Sequence, residues 1–446
     1  VDRLDPALAA VRLLLRPEES TADSQQRIAA AVGDVAAPLD DAGRPWRVRR
    51  LAPRSTGRLG QCWTVSGLLA ATPSYDSSRV AYDLAAGLTE HLGVEVEPDL
   101  PSSAFGRESA DDPATLPESL PKTWAVDSVR AREAWDLPPR SDGRTRGEGI
   151  LIGHIDTGWT RHPELDGALD LDRDFDVIDD DNDAHDPLDR PWFGPLYSPG
   201  HGTRTGSVIA SRETGAIVGS APRAVLVPGR AVKSVVQVLD GEVARAVDLA
   251  RRRGCHIISM SLGGRGFFGL RDAIADAVED GVIVMAAAGN KVRVVTAPAV
   301  YPECLAVAGS NAASRPWSGS SRGPLVDVSA PGESVWVASV SREVPPAFGE
   351  TQSDGTSYAV ATLAGVAALW LAHHGRAQII ETCGRPNVQR AFLSLIEGPG
   401  HRVPEGWPSE GFGVGIVDAV GMLAGELPDA AQLGGGEPQR FDAVAR

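Results

Sequence analysis

A doubly wound, mostly parallel α/β sheet is the fold class predicted for residues 122–425, with a small α+β unit ahead of it. Three observations predict it. Five apolar runs, "GILIGHID", "AVLVPGRAV", "CHIISMSLG", "VIVMAAAGN" and "CLAVAGS", are continuous rather than alternating, as expected of parallel strands buried on both faces. Helical patterns such as "GEVARAVDLARRRG" and "LRDAIADAVEDG" lie between them, so strands and helices alternate along the chain. At 446 residues the chain is too long for one ordinary core and implies two or three domains.

The α+β unit occupies residues 1–100. "VRLLLR" alternates as a strand, with Val11, Leu13 and Leu15 on one side. "TADSQQRIAAAVG" predicts a helix capped by Thr21 and stopped at Gly33. "WRVRRL" and "CWTVSGLLA" predict two strands. Val80, Leu84, Leu88 and Leu92 recur at every fourth residue of a second helix, which Gly93 closes, and "VEVE" supplies a last short strand. The order β-α-β-β-α-β is that of a ferredoxin-like split βαβ unit.

Residues 101–121, "PSSAFGRESADDPATLPESLP", are rich in Pro, Ser and acid and read as a linker open to proteolysis. Residues 426–446 read as a flexible tail. The formal net charge of −16 argues against nucleic acid as a partner. No run reaches 18 apolar residues, so no membrane span is expected. The first residues carry no secretory n-region or h-region, which tips the expected compartment slightly toward the cytoplasm. Cys62, Cys255, Cys304 and Cys383 have no C-x-x-C spacing and are expected as buried thiols rather than a zinc site or a disulfide scaffold.

Ligands of doubly wound folds sit at the carboxyl ends of the strands. Asp156 ends "GILIGHID" and meets the turn "TG"; His201 lies in "SPGHGTRTGSVIAS", before a small-residue helix; Ser357 follows Gly355 and Thr356 and opens "SYAVATLAGVAALW". Each has an ordinary structural role when taken alone: Asp156 as a turn former, His201 as a hydrogen-bonded core residue, Ser357 as an N-cap. Together they supply a carboxylate, a base and a hydroxyl, the set a nucleophilic serine needs. Asn290 ends the buried strand "VIVMAAAGN", where its amide can donate to a developing oxyanion.

In that order, "IDTG", "HGT" and "GTSYA" resemble the subtilisin-like serine proteases, over roughly residues 120–425. The resemblance implies that Asp156 orients, His201 is general base and then acid, Ser357 is the nucleophile, and Asn290 with the Ser357 N–H forms the oxyanion hole. "SLGG" also matches: Ser261, Leu262 and Gly263 would form one wall of the substrate cleft, pairing with peptide as an added strand. Ala287, Ala288 and Gly289 would form the other, small and apolar. The implied substrate is a peptide or protein, with no redox or organic cofactor. The α+β unit resembles the family propeptide, an intramolecular inhibitor and folding chaperone, and self-processing of such a zymogen would fall between about Ser102 and Pro121. The family writes G-T-S-M-A-x-P; here Tyr358 replaces Met and Ala361 replaces Pro. An inactive peptide-binding relative is therefore the alternative.

Two motifs point elsewhere. "GRGFFG", Gly264 to Gly269, fits a dinucleotide-binding turn, but the next strand ends in Asn290 instead of an acid. "GSSRG" around Ser321 fits a nucleophile elbow, but Pro324 and a strand-like stretch follow instead of a helix. The run from Asp170 to Asp189 is dense in aspartate; Asp179, Asp181 and Asp183 alternate and are candidate Ca2+ ligands, against the plainer expectation of a solvated acidic loop.

Overall fold

The computed structural model describes residues 8–17, 23–36, 46–70, 76–99, 120–140, 142–188, 198–235, 240–341 and 347–433. In the N-terminal unit, β1 (Leu8–Leu15), α1 (Ser24–Ala36), β2 (Arg47–Arg50), β3 (Trp63–Ala70), α2 (Asp76–Leu92) and β4 (Val96–Pro98) follow the predicted order. The strands form an antiparallel sheet in the order β2-β3-β1-β4, which is the ferredoxin-like arrangement. Val11, Leu13 and Leu15 face a private core with Ile28, Val32, Leu84 and Leu88. Leu14, on the opposite face of β1, belongs to the large core of the rest of the chain. The predicted stop at Gly33 is not one: α1 runs on to Ala36. A helical glycine costs only about 1 kcal/mol, and Val35 beyond it packs on the same core. The Thr21 cap and residues 101–119 lie outside the described residues.

After two short helices, α3 (Trp124–Ser128) and α4 (Ala131–Trp135), the chain builds a nine-stranded sheet. Its strands are β5 (Leu151–Asp156), β6 (Phe175–Asp176), β7 (Val225–Arg230), β8 (Ile257–Met260), β9 (Ile283–Ala287), β10 (Leu305–Ser310), β11 (Val328–Pro331), β14 (His401–Arg402) and β15 (Ile416–Val417). All pairs are parallel except β14 with β15. The order β14-β15-β11-β10-β9-β8-β5-β7-β6 reverses direction about β5, as a doubly wound sheet does. The helices are α5 (His201–Ala210), α6 (Asp240–Arg252), α7 (Phe268–Glu279), α8 (Thr356–His374), α9 (Arg376–Cys383), α10 (Val388–Glu397), α11 (Ser409–Phe412) and α12 (Ala419–Ala424). A hairpin of β12 (Val335–Val340) and β13 (Phe348–Ser353) precedes α8. By length and composition α8 is apolar enough to cross a membrane, but all of it is buried inside this fold. A helix apolar on every side is a core helix here. The four cysteines are buried and free.

The N-terminal unit docks on α6 and α7 through charge. Arg12 pairs with Glu242 at 2.5 Å and with Asp99 at 2.9 Å. Arg16 pairs with Asp272, and Arg58 reaches Asp276 and Glu279, each at 2.7 Å. Ser55 donates to Asp248 at 2.8 Å. Glu97 accepts from the Phe268 N–H at 3.2 Å, which occupies the helix start that "GRGFFG" would need for a pyrophosphate. Asp99 is buried beside the start of α6, with Arg12 as its ion-pair partner.

Candidate active site

Asp156 is the last residue of β5, and α5 begins over it. Gly200, at φ +72°, makes the left-handed turn into that helix. Gly202 lets the first turn close on the strand: a Cβ there would sit 1.9 Å from the Gly158 carbonyl oxygen. Asp186 locks the junction. Its Oδ2 accepts from the Thr157 hydroxyl at 2.8 Å and the Gly200 N–H at 2.7 Å, while the Gly202 N–H donates to Thr157 Oγ1 at 3.1 Å.

This approach brings His201 Nδ1 to 2.7 Å from Asp156 Oδ1, with both side chains fully buried. A carboxylate cannot donate, so Nδ1 carries the proton and Nε2 of the neutral ring is left as acceptor. Asp156 also accepts from the Thr157 N–H at 2.7 Å and the Thr205 hydroxyl at 3.0 Å. Burial alone would raise this carboxyl; the His201 charge and hydrogen bond, helped by His154 and the Thr157 N–H, outweigh burial and hold it below its usual value.

Ser357 is the second residue of α8 and does not cap it. The cap comes from Asn290, whose Oδ1 accepts from the Thr356 N–H at 2.9 Å and the Thr356 hydroxyl at 2.8 Å. That fixes the amide: Oδ1 is spent on the helix start, and Nδ2 is left to donate elsewhere. Ser261 ties the end of β8 to the same turn, its hydroxyl donating to the Ser357 carbonyl at 3.0 Å, and Ser357 Oγ lies 3.4 Å from the Ser261 carbonyl oxygen. Tyr358 is buried behind the serine. Its ring centroid is 6.5 Å from that of His201, and its hydroxyl is 2.8 Å from Ser353 Oγ. Ala361 continues the helix, buried.

Asp156 thus meets His201 at the carboxyl end of β5, and Asn290 meets the start of α8, which carries Ser357. Asn290 does not end β9 as expected: the strand stops at Ala287, and Gly289, at φ +117°, turns the chain away from it. Leu262 and Gly263 follow Ser261 in the segment after β8, and the Gly264 N–H bonds the Ala297 carbonyl at 2.8 Å. Ala287 is inside β9, Ala288 packs with Ala308, Val326 and Phe412, and the Gly289 N–H donates to Thr356 Oγ1 at 3.2 Å. Asp179, Asp181 and Asp183 do not converge. Asp179 pairs with Arg230 at 2.5 Å; Asp181 accepts from the Asp183 N–H at 2.9 Å, and Asp183 from the His185 N–H at 3.1 Å. Among the described residues no group of three or more His, Cys, Asp or Glu side chains could hold a metal ion. The consequential aspartate of that run is Asp186. Ser321 is a loop residue, its hydroxyl donating to the Val292 carbonyl at 2.7 Å. Sequence reasoning missed Asp186, Thr356, Thr205 and His154. The last was signalled by its spacing: it lies two residues before Asp156, on the same face of the strand.

A buried carboxylate holding an imidazole, and a serine hydroxyl at a helix start, are the equipment a serine hydrolase needs. The family model of the subtilase family matches residues 147–391. Thermitase from Thermoactinomyces vulgaris is 33% identical over 261 residues, covering 57% of this chain and 84% of that protein. Fervidolysin from Fervidobacterium pennivorans, described as a keratinolytic enzyme related to subtilisin, shares the fold with a TM-score of 0.65 at 21% identity, covering 96% of this chain and 63% of that one. MycP1 with its N-terminal propeptide removed superposes with a TM-score of 0.50 at 25% identity, covering 69% of this chain and 98% of its own. The chain belongs to the subtilase family and is a serine-type endopeptidase, a hydrolase of peptide or protein substrates.

Proposed function

We propose that Ser357 is the nucleophile, His201 the general base and acid, Asp156 its orienting carboxylate, and Asn290 Nδ2 with the Ser357 N–H the oxyanion hole. The observation that carries this reading is the 2.7 Å bond from His201 Nδ1 to Asp156 Oδ1, which leaves Nε2 as the base. Ser357 Oγ attacks the scissile carbonyl carbon and its proton passes to His201 Nε2. The carbonyl oxygen takes the negative charge and receives the two N–H donors, since Asn290 Oδ1 is held away by Thr356. The C–N bond breaks as His201 gives its proton to the leaving amine. Water then repeats the sequence on the acyl-enzyme. Ser261 to Gly263 and Ala287 to Gly289 line the cleft.

The N-terminal unit acts in this proposal as an inhibitor and chaperone of a self-processed zymogen. Its ionic seat on α6 and α7 supports the assignment, as does the propeptide named for MycP1. Intact mass of purified protein, beside peptide hydrolysis, tests both parts. The wild type should hydrolyse peptide and lose an N-terminal piece cut between about Ser102 and Pro121; Ser357→Ala should do neither. Processing that persists in purified Ser357→Ala contradicts self-cleavage. Hydrolysis that persists contradicts the nucleophile.

A further inference from the structure

Behind the Asp156–His201 pair lies a second buried imidazole. His154 Nε2 is 2.9 Å from Thr205 Oγ1, Thr205 Oγ1 is 3.0 Å from Asp156 Oδ2, and His154 Nε2 is itself 3.9 Å from that oxygen. The two contributors arrive by periodicity. His154 precedes Asp156 by two residues on β5, and Thr205 follows His201 by four on α5, so each shares a face with a member of the proposed triad. The helix can come this close because residue 206 is glycine: a Cβ there would already touch Leu226 at 3.1 Å and the His154 ring at 3.6 Å.

The proton count fixes the direction of the chain. The Thr205 hydroxyl has one proton and three acceptors in reach: Asp156 Oδ2 at 3.0 Å, the His201 carbonyl at 3.1 Å and the Gly202 carbonyl at 3.4 Å. A helical threonine ordinarily gives that proton to the carbonyl four residues back. Here a buried carboxylate oxygen with no other hydrogen bond among the described residues competes for it. If His154 Nε2 donates to Thr205 Oγ1, the hydroxyl is polarised and its proton turns to Asp156. If His154 were the other tautomer, Nε2 would take the hydroxyl proton and Oδ2 would lose its donor. The charged form of His154 is opposed first by burial, which lowers its pKa, with His201 adding and Asp156 opposing. Among the described residues those two are the charges acting on it. The strands on either side present Pro228 and Ser259 at its register.

We infer that His154 is a positioning residue for the proposed reaction, acting through the Thr205 hydroxyl to saturate Asp156 Oδ2 so that Oδ1 stays on His201. It touches neither substrate nor the reacting atoms. It sets the rotor of one hydroxyl, and that hydroxyl sets the orientation and basicity of the carboxylate. Removing a donor from a carboxylate makes it more basic. A more basic Asp156 holds the His201 imidazolium more tightly, so the acid limb of kcat/KM, which reports His201 ionisation, moves to higher pH.

This inference rests on the proposed triad, and its test separates the two. The measurement is kcat, KM and the pH profile of peptide hydrolysis, with active sites counted by a fluorophosphonate so that misfolded protein is excluded. His154→Val and Thr205→Val should each lower kcat about tenfold with KM unchanged and move the acid limb up by about half a unit. The double variant should be no worse than either single one, because both break the same chain. His154→Gln, which keeps an N–H at that reach, should restore most of kcat. Thr205→Val is isosteric and carries the test if His154→Val does not fold. Variants whose kcat and acid limb match the wild type, with only the melting temperature lowered, overturn the inference and leave the triad standing. A wild type that neither hydrolyses peptide nor takes up the phosphonate overturns the triad, and this inference with it.

Discussion

Asn290 does two jobs with one amide. Oδ1 caps α8 through Thr356, and Nδ2 is the proposed oxyanion donor. Asn290→Ala should therefore lose rate and stability together. In subtilisin, removal of the corresponding donor costs about 10²–10³ in kcat, and loss of a helix cap costs about 1 kcal/mol. Steady-state kinetics and a thermal melt on one preparation check both; a full loss of rate with an unchanged melt would contradict the capping role. Asp156→Asn should cost about 10⁴ in kcat, because an amide at Oδ1 can present N–H to Nδ1 and invert the tautomer. The chemistry-bearing residues were legible because each ends a strand, follows one closely or opens a helix. His154 is masked by the apolar run around it, and only its position two residues before Asp156 marks it. Asp186 was not legible, since its run offers many aspartates of equal merit. Which of them returns to Thr157 and Gly200 depends on the path of the loop, which no local pattern encodes.

Continuous apolar runs read as parallel strands and prove to be β5, β7, β8, β9 and β10. Short strands such as β6 and β14 are two residues long and carry no period to read. The misplaced end of α1 has a like cause: a single glycine is a weak signal, and packing at Val35 overrides it. The most exacting element contact is the seat of α5 on the end of β5. Gly202→Ala would drive a methyl into the Gly158 carbonyl, and backbone cannot yield as a side chain can. Such overpacking typically costs about 1–3 kcal/mol. The shift would also lengthen the His201–Asp156 bond, so kcat should fall more than the melting temperature alone explains, when measured per phosphonate-titrated site. Asp186→Ala should act in the same direction by releasing Thr157 and Gly200 together.

At the scale of the whole molecule, the N-terminal unit and the catalytic part share an interface rich in carboxylates. Asp240, at the start of α6, is pushed up to about 7 by burial first, then by Asp99 and Glu97, against one hydrogen bond from the Gly266 N–H. A carboxyl whose folded pKa is raised is protonated at no cost below its unfolded value, and destabilises the fold as pH rises toward its folded one. Asp240→Asn keeps the acceptor for Gly266 and removes the charge. In a Ser357→Ala background, which blocks the proposed self-cleavage, Asp240→Asn should melt higher than its parent at pH 8. The gap should shrink as pH falls below about 7 and close only near the unfolded carboxyl value of about 4. A gap independent of pH would contradict the burial of a titrating carboxyl at that seat. This docking was not legible in the sequence. Arg12, Arg16 and Arg58 are scattered among other arginines, and only the folded sheet sorts them toward Glu242, Asp272 and Asp276.

In the proposed mechanism Asp156, His201 and Asn290 make Ser357 a nucleophile. Its most direct test is the rate of fluorophosphonate labelling, with the adduct located by peptide mass spectrometry, in the wild type and in Asp156→Asn and Ser357→Ala. One adduct is expected, on Ser357, formed far more slowly in Asp156→Asn and absent in Ser357→Ala. An adduct on another serine, or labelling that survives Ser357→Ala, would contradict it.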